Sequence, residues 1–259
     1  MRLFVQDWGR GKPIVLVAGY PYSHLTWDYN APALVESGFR VVAPDLRGFG
    51  LSDKPYDGND YETWAADLAA VLDALDLEDV TLVGHCLGAG VCLQLVGGRG
   101  EPRVNRLALL AGPVPHLGAN RGAEAIDRWI RLLRTDRPAF LDLFGSLVFF
   151  NPSPQFTAWS AADGLQASSR ACVRGLEELR DRDLTGQARN VRVPTRLLWG
   201  THDNIVTRSL VDAQLTLIEG SELVELETSG HGLHYDRWAE LNRALVAFAS
   251  GTAPDGGPP

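Results

Sequence analysis

Short apolar runs alternate with stretches of helical spacing along this chain, and no other feature limits its fold so much. The runs are "PIVLVAG" (Pro13–Gly19), "FRVVAPD" (Phe39–Asp45), "DVTLVGH" (Asp79–His85), "VNRLALLAG" (Val104–Gly112), "TRLLWG" (Thr195–Gly200) and "ELVELE" (Glu222–Glu227). Most are rich in Val and Leu without clean polar alternation, as expected of strands covered on both faces. Between them, "YETWAADLAAVLDALDL" (Tyr61–Leu77) sets Trp64, Leu68, Val71, Leu72 and Leu75 on one helical side, behind Asn59 or Asp60 as a cap. "LGAGVCLQLV" (Leu87–Val96) and "DRWAELNRALVAFA" (Asp236–Ala249) follow their strands similarly. This alternation predicts an α/β fold, a mainly parallel, doubly wound sheet with helices on both faces.

Residues 117–190 break the rhythm. Segments such as "AEAIDRWIRLLR" and "CVRGLEELRDRDL" read as helices with no strand between them. The expected organisation is a core of residues 1–116 and 191–250, a helical cap of 117–190, and a tail of 251–259. The tail, rich in Gly and Pro, has nothing to pack and is expected to be disordered. A length of 259 residues allows one large domain with a sizeable core.

The formal charge of −8 argues against nucleic acid or an anionic membrane as a partner. No apolar run reaches the roughly 18 residues of a membrane span, and the first residues lack the pattern of a signal peptide. Cys86, Cys92 and Cys172 are odd in number and lack C-x-x-C spacing, so neither a disulfide framework nor a zinc cage is expected. Free thiols suit a reducing cytoplasm, the expected location.

Gly84-His85-Cys86-Leu87-Gly88 joins an apolar strand to a helix. It has the form G-x-S-x-G with Cys for Ser. On so tight a turn the middle residue is forced outward at strained backbone angles, and small residues two before and two after relieve the crowding. The helix that follows aims its free N–H groups and positive dipole end at the site, which favours a thiolate and an oxyanion. A free cysteine is also commonly a small buried apolar residue, and the five residues alone do not choose. The downstream sequence does. Asp203 follows the strand "TRLLWG", and His231 sits in the glycine-flanked loop "SGHG" after "ELVELE". Nucleophile, acid, histidine is the chain order of the α/β-hydrolase fold.

The stretches "AGYPYSHLTWD", "VVAPDLRGFGLSDKP", "YETWAADLAAVLDALDLEDVTLVGHCLGAG", "WGTHDNIV" and "GHGLHYDRWAELNRAL" resemble the α/β-hydrolase superfamily. Within it they resemble the cofactor-free haloperoxidases (perhydrolases) and related esterases. The resemblance implies Cys86 as nucleophile, His231 as base, Asp203 as triad acid, and the backbone N–H groups of Tyr20 and Leu87 as an oxyanion hole. It implies no cofactor and no metal. The chain departs from the pattern twice: Cys86 replaces the usual Ser, and Ala18-Gly19 replaces a loop that usually begins His-Gly.

His24, after the oxyanion loop, His85, in the elbow, and His116, before the cap, are candidates for substrate contact. So are Trp159, among the cap aromatics, and His234, three residues beyond His231. Cys92, six residues past Cys86, turns about 240° away on a helix and belongs to the core. The expected function is cofactor-independent chemistry on a small, largely apolar acyl compound such as an ester, lactone or thioester. It would proceed by hydrolysis or by acyl transfer and cyclisation through a thioester on Cys86. The alternative is a non-covalent lyase, isomerase or cofactor-free oxygenase using the same pocket. The sequence leaves a homo-oligomer open.

Overall fold

The computed structural model describes residues 1–252. Strands β1 (Val5–Gly9), β2 (Pro13–Val17), β3 (Arg40–Pro44), β4 (Val80–His85), β5 (Val104–Leu110), β6 (Thr195–Gly200) and β7 (Glu222–Leu226) form one sheet in the order β1-β3-β2-β4-β5-β6-β7. All neighbours are parallel except β1, which runs antiparallel to β3 at one edge. The core helices are α1 (Ala31–Glu36), α2 (Tyr61–Ala74) and α3 (Leu87–Leu93). Between β5 and β6 the chain runs through α4 (Leu117–Arg121), α5 (Ala123–Thr135), α6 (Arg137–Val148), α7 (Pro154–Gly164), α8 (Ser169–Asp181) and α9 (Thr185–Asn190). Helices α10 (Arg208–Leu217), α11 (Leu233–Asp236) and α12 (Trp238–Ser250) complete the fold.

Neighbouring strand residues serve opposite faces. Val15, Val17, Leu82, Leu107 and Leu109 pack with Trp64 and Leu68 of α2. Ile14, Leu16, Val83, Ala108 and Leu110 pack with Leu34 of α1 and Leu241 and Leu245 of α12. The central strands therefore need apolar residues at every position, which is why they read as unbroken runs. Strand β7 closes the other edge and is only partly covered. Strand β1 carries polar and exposed residues and gave no apolar signal.

Caps fix several helix starts. The Asp60 carboxylate accepts from Thr63 N–H at 2.8 Å, settling the choice between Asn59 and Asp60. Ser153 and Ser168 cap α7 and α8 in the same way. The helix over Asp236–Ala249 is split in two, because Arg237 leaves helical geometry between α11 and α12. Gly251 and Thr252 close α12 through a left-handed turn, and the rest of the tail expected to be disordered lies outside the described residues. No helix among the described residues is long and apolar enough to cross a membrane.

Candidate active site

Cys86 stands between β4 and α3 at φ 49° and ψ −119°. A non-glycine residue in that region is strained and is held there by its surroundings. The grip comes from the backbone: Cys86 N–H donates to Leu110 O at 3.0 Å, and Cys86 O accepts from Ala89 N–H at 2.9 Å. Gly88 lets the elbow close, since a Cβ there would lie 2.5 Å from Val17 O and 2.6 Å from Ala18 O. Cys92 lies behind the elbow with no exposure, as the 240° turn predicts.

The acid and the histidine arrive from the ends of β6 and β7. Asp203 Oδ1 accepts from the N–H groups of Ile205 and Val206 at 2.7 and 2.9 Å, which pins its loop. Its other oxygen accepts from His231 Nδ1–H at 2.9 Å. That bond places the proton on Nδ1 and leaves Nε2 buried, with no partner in hydrogen-bond geometry. Cys86 interacts with this imidazole electrostatically. Burial opposes a charge on His231, but Asp203 and Cys86 together push its pKa up to about 10. The histidine loop is tied at both flanks. Gly232 N–H donates to Val148 O at 2.8 Å, and Gly230 N–H donates to Asp236 Oδ2 at 2.8 Å.

The third part of the site is the loop after β2. Gly19 passes so close to the elbow that a Cβ there would meet His85 Nδ1 at 2.4 Å and Cys86 Cβ at 2.9 Å. Tyr22 N–H donates to Gly19 O at 2.9 Å, which turns the loop back over the thiol. Among the described residues, the N–H groups of Tyr20 and Leu87 donate to no acceptor. The Tyr20 ring lies edge-on to Phe140 and Phe144 of α6.

The structure gathers two of the other predicted histidines beside this group. His85 Nε2–H donates to His231 O at 2.9 Å, and its ring centroid lies 5.0 Å from that of His231. His234 meets the Thr26 hydroxyl at 2.9 Å. Burial and the neighbouring His231 push His234 down to about 3, and burial with both neighbours lowers His85, so both rings stay neutral.

His24, His116 and Trp159 make no hydrogen bond or ring contact with Cys86 or His231. His24 is engaged by Asp45 through its ring at 2.9 Å and its amide at 2.6 Å, and it packs on Phe4. His116 Nε2 meets Arg180 O of α8 at 3.0 Å. Trp159 packs on Phe156 and lines a cavity of about 380 Å³ with Asp28, Tyr29, Gln155 and Tyr235, at the seam of α7 and the core. Cys86 and His231 do not line it.

Sequence reasoning missed Tyr22. Burial raises its phenol above the ordinary range, the Ser160 hydroxyl acts the other way, and Asp163 and Cys86 add to the rise. Its hydroxyl is therefore neutral and within electrostatic reach of the thiol. The signal for it was weak, a second tyrosine in "GYPYS".

The sequence pattern of the alpha/beta hydrolase family matches residues 14–244. The chain is similar to the AB hydrolase superfamily protein YisY of Bacillus subtilis (strain 168), with 33% identity over 255 residues that cover 96% of this chain and 95% of the relative. It is also similar to a non-heme haloperoxidase of Rhodococcus erythropolis, 32% identical with 95% of each chain covered. Its fold superposes on an esterase from Exiguobacterium antarcticum with a TM-score of 0.92 at 30% identity, covering 96% of this chain and 95% of that one. A bromoperoxidase from Bacillus anthracis gives a TM-score of 0.92 at 29% identity, with the same coverage of 96% and 95%.

Proposed function

The chain belongs to the alpha/beta hydrolase family, and on that premise we propose that it is an enzyme cleaving an ester, lactone or thioester of a largely apolar acid through a thioester on Cys86. One observation carries the reading. A strained Cys86 and a buried His231, its Nδ1 bound to Asp203 and its Nε2 free, stand beside two backbone amides that have no acceptor.

The protein's own groups suit each step. With His231 pushed up to about 10 by Asp203 and Cys86, a charged imidazole stands beside the sulfur, an arrangement that favours attack as thiolate. Sulfur attacks the acyl carbon, and the carbonyl oxygen becomes an oxyanion. The N–H groups of Tyr20 and Leu87 receive it. The intermediate collapses, the bond to the leaving oxygen breaks, and His231 Nε2–H protonates that oxygen. The acyl group remains as a thioester. His231, now neutral, takes a proton from water as it attacks, and a second collapse returns the thiolate and releases the acid. An amine or alcohol in place of that water gives acyl transfer by the same steps. Asp203 holds the imidazole in one tautomer and supports its charge throughout. The aromatic rings of Phe140 and Phe144 around Tyr20 support an apolar acyl group.

Mass spectrometry after brief mixing with a p-nitrophenyl ester tests the reading. The expected result is one acyl mass on the peptide carrying Cys86, absent from Cys86→Ala. Ester turnover that persists in Cys86→Ala would overturn it.

A further inference from the structure

We propose that Asp163, at the end of α7, is a positioning residue that sets the oxyanion loop, so that the Tyr20 amide near Cys86 is aligned by a helix outside the sheet core. The proposal rests on the acyl chemistry read above. Asp163 lies at the end of α7, and its carboxylate takes two hydrogen bonds from one residue of the loop. Ser23 Oγ–H donates to Oδ1 at 2.5 Å, and Ser23 N–H donates to Oδ2 at 3.0 Å. Both residues are shut from water, Asp163 at 4% and Ser23 at 1% exposure. Gln166 Nε2–H adds a longer bond to Oδ1 at 3.4 Å.

The contact is part of a wider grip. Along α7, Gly164 packs so near Pro21 that a Cβ there would meet its Cγ at 3.3 Å. Pro21 and Ser23 are thus each met by a residue of α7, close after Tyr20. Among the described residues, the other bond to the Ser23 side chain is local: its Oγ accepts from Leu25 N–H at 3.2 Å. Burial pushes Asp163 up from its ordinary range while the Ser23 bonds pull it back, so a buried carboxylate is kept where it costs stability unless these donors stay in place. A group that must hold its donors also fixes where they are. A shift of about 1 Å in an oxyanion donor costs about 10²-fold in rate.

Two reactions of one thiol separate this role from mere stabilisation. Acylation of Cys86 by p-nitrophenyl acetate needs the oxyanion hole. Alkylation by iodoacetamide needs only the thiolate. In Asp163→Asn and in Ser23→Ala, acylation is expected to slow by about 10- to 100-fold, with alkylation unchanged. Ser23→Thr, which keeps the hydroxyl, restores acylation, and hydrogen exchange at the amides of Tyr20 to Leu25 quickens in the two deficient variants. If Asp163→Asn does not fold, Ser23→Ala and Ser23→Thr carry the test. Unchanged acylation overturns the positioning role and leaves the acyl reading standing. A parallel loss of both reactions overturns it too, since the defect then lies in the thiol–imidazole pair. A wild type that alkylates but never acylates overturns the acyl reading, and this role with it.

Discussion

His231 donates through Nδ1–H to Asp203 Oδ2 across 2.9 Å, with side chains 1% and 0% exposed. In such a closed site the carboxylate alone fixes the tautomer. Asp203→Asn should keep the fold and lower turnover by about 10⁴-fold. Steady-state kinetics beside circular dichroism checks this. Turnover within tenfold of wild type would remove Asp203 from the mechanism.

The same pair makes stability depend on pH. His231 has its pKa raised from 6.5 to about 10, against burial, by Asp203 and Cys86. A raised folded-state value contributes stability that is fully present below pH 6.5 and is lost as pH rises toward about 10. The melting temperature of wild type should fall across that window, and Asp203→Asn should flatten the fall. Asp236, pushed up by burial to about 6, acts in the same direction but in the more acidic range, so the two are separable.

His231→Ala should be as damaging as Cys86→Ala, while His234→Ala should be mild. His234 is neutral and bonded to the Thr26 hydroxyl rather than to the acid. A dead His234→Ala beside an active His231→Ala would reverse the assignment of the base. For Cys86→Ala itself the loss should be several orders of magnitude with melting preserved.

All three cysteines are buried, so ionisation rather than exposure should decide which reacts. Burial raises Cys92 well above its ordinary value and pushes Cys172 to about 11. Cys86 faces the elevated His231 and a helix start. Peptide mapping after limiting iodoacetamide should find label on Cys86 first. Equal labelling of the three would contradict an activated sulfur at Cys86.

The fold was legible because the central strands are apolar on both faces and because glycines mark where the chain turns hardest. Gly84 and Gly88 betrayed the elbow, and the glycines around His231 betrayed its loop. Strand β1 was not legible, since an edge strand such as "VQDWG" buries too little to leave a pattern. The bond between Ser23 and Asp163 was invisible for another reason. It joins positions 140 apart, and no local spacing encodes it. His24 looked available for a ligand because its partner Asp45 lies 21 residues on, in a different loop.

Cys86→Ser should fold yet fail to acylate as wild type does. Oxygen is smaller than sulfur, forms shorter bonds and holds its proton far more tightly than a thiol does, so it depends more on its base during attack. Rates on a p-nitrophenyl ester decide it. A serine variant equal to wild type would make the sulfur incidental.

The opposite allegiance of neighbouring strand residues sets a rule of parity for the thiol. Leu82 belongs to the core under α2 and Val83 to the core under α1 and α12. One residue inserted into β4 before Val83 would exchange odd and even positions, send each side chain to the wrong layer and shift the elbow by half a pleat. Two inserted residues would restore the layers and only lengthen the strand. Insertions counted in ones should therefore be fatal where insertions counted in pairs are tolerated, so the aim of Cys86 is kept by whether a number is odd or even.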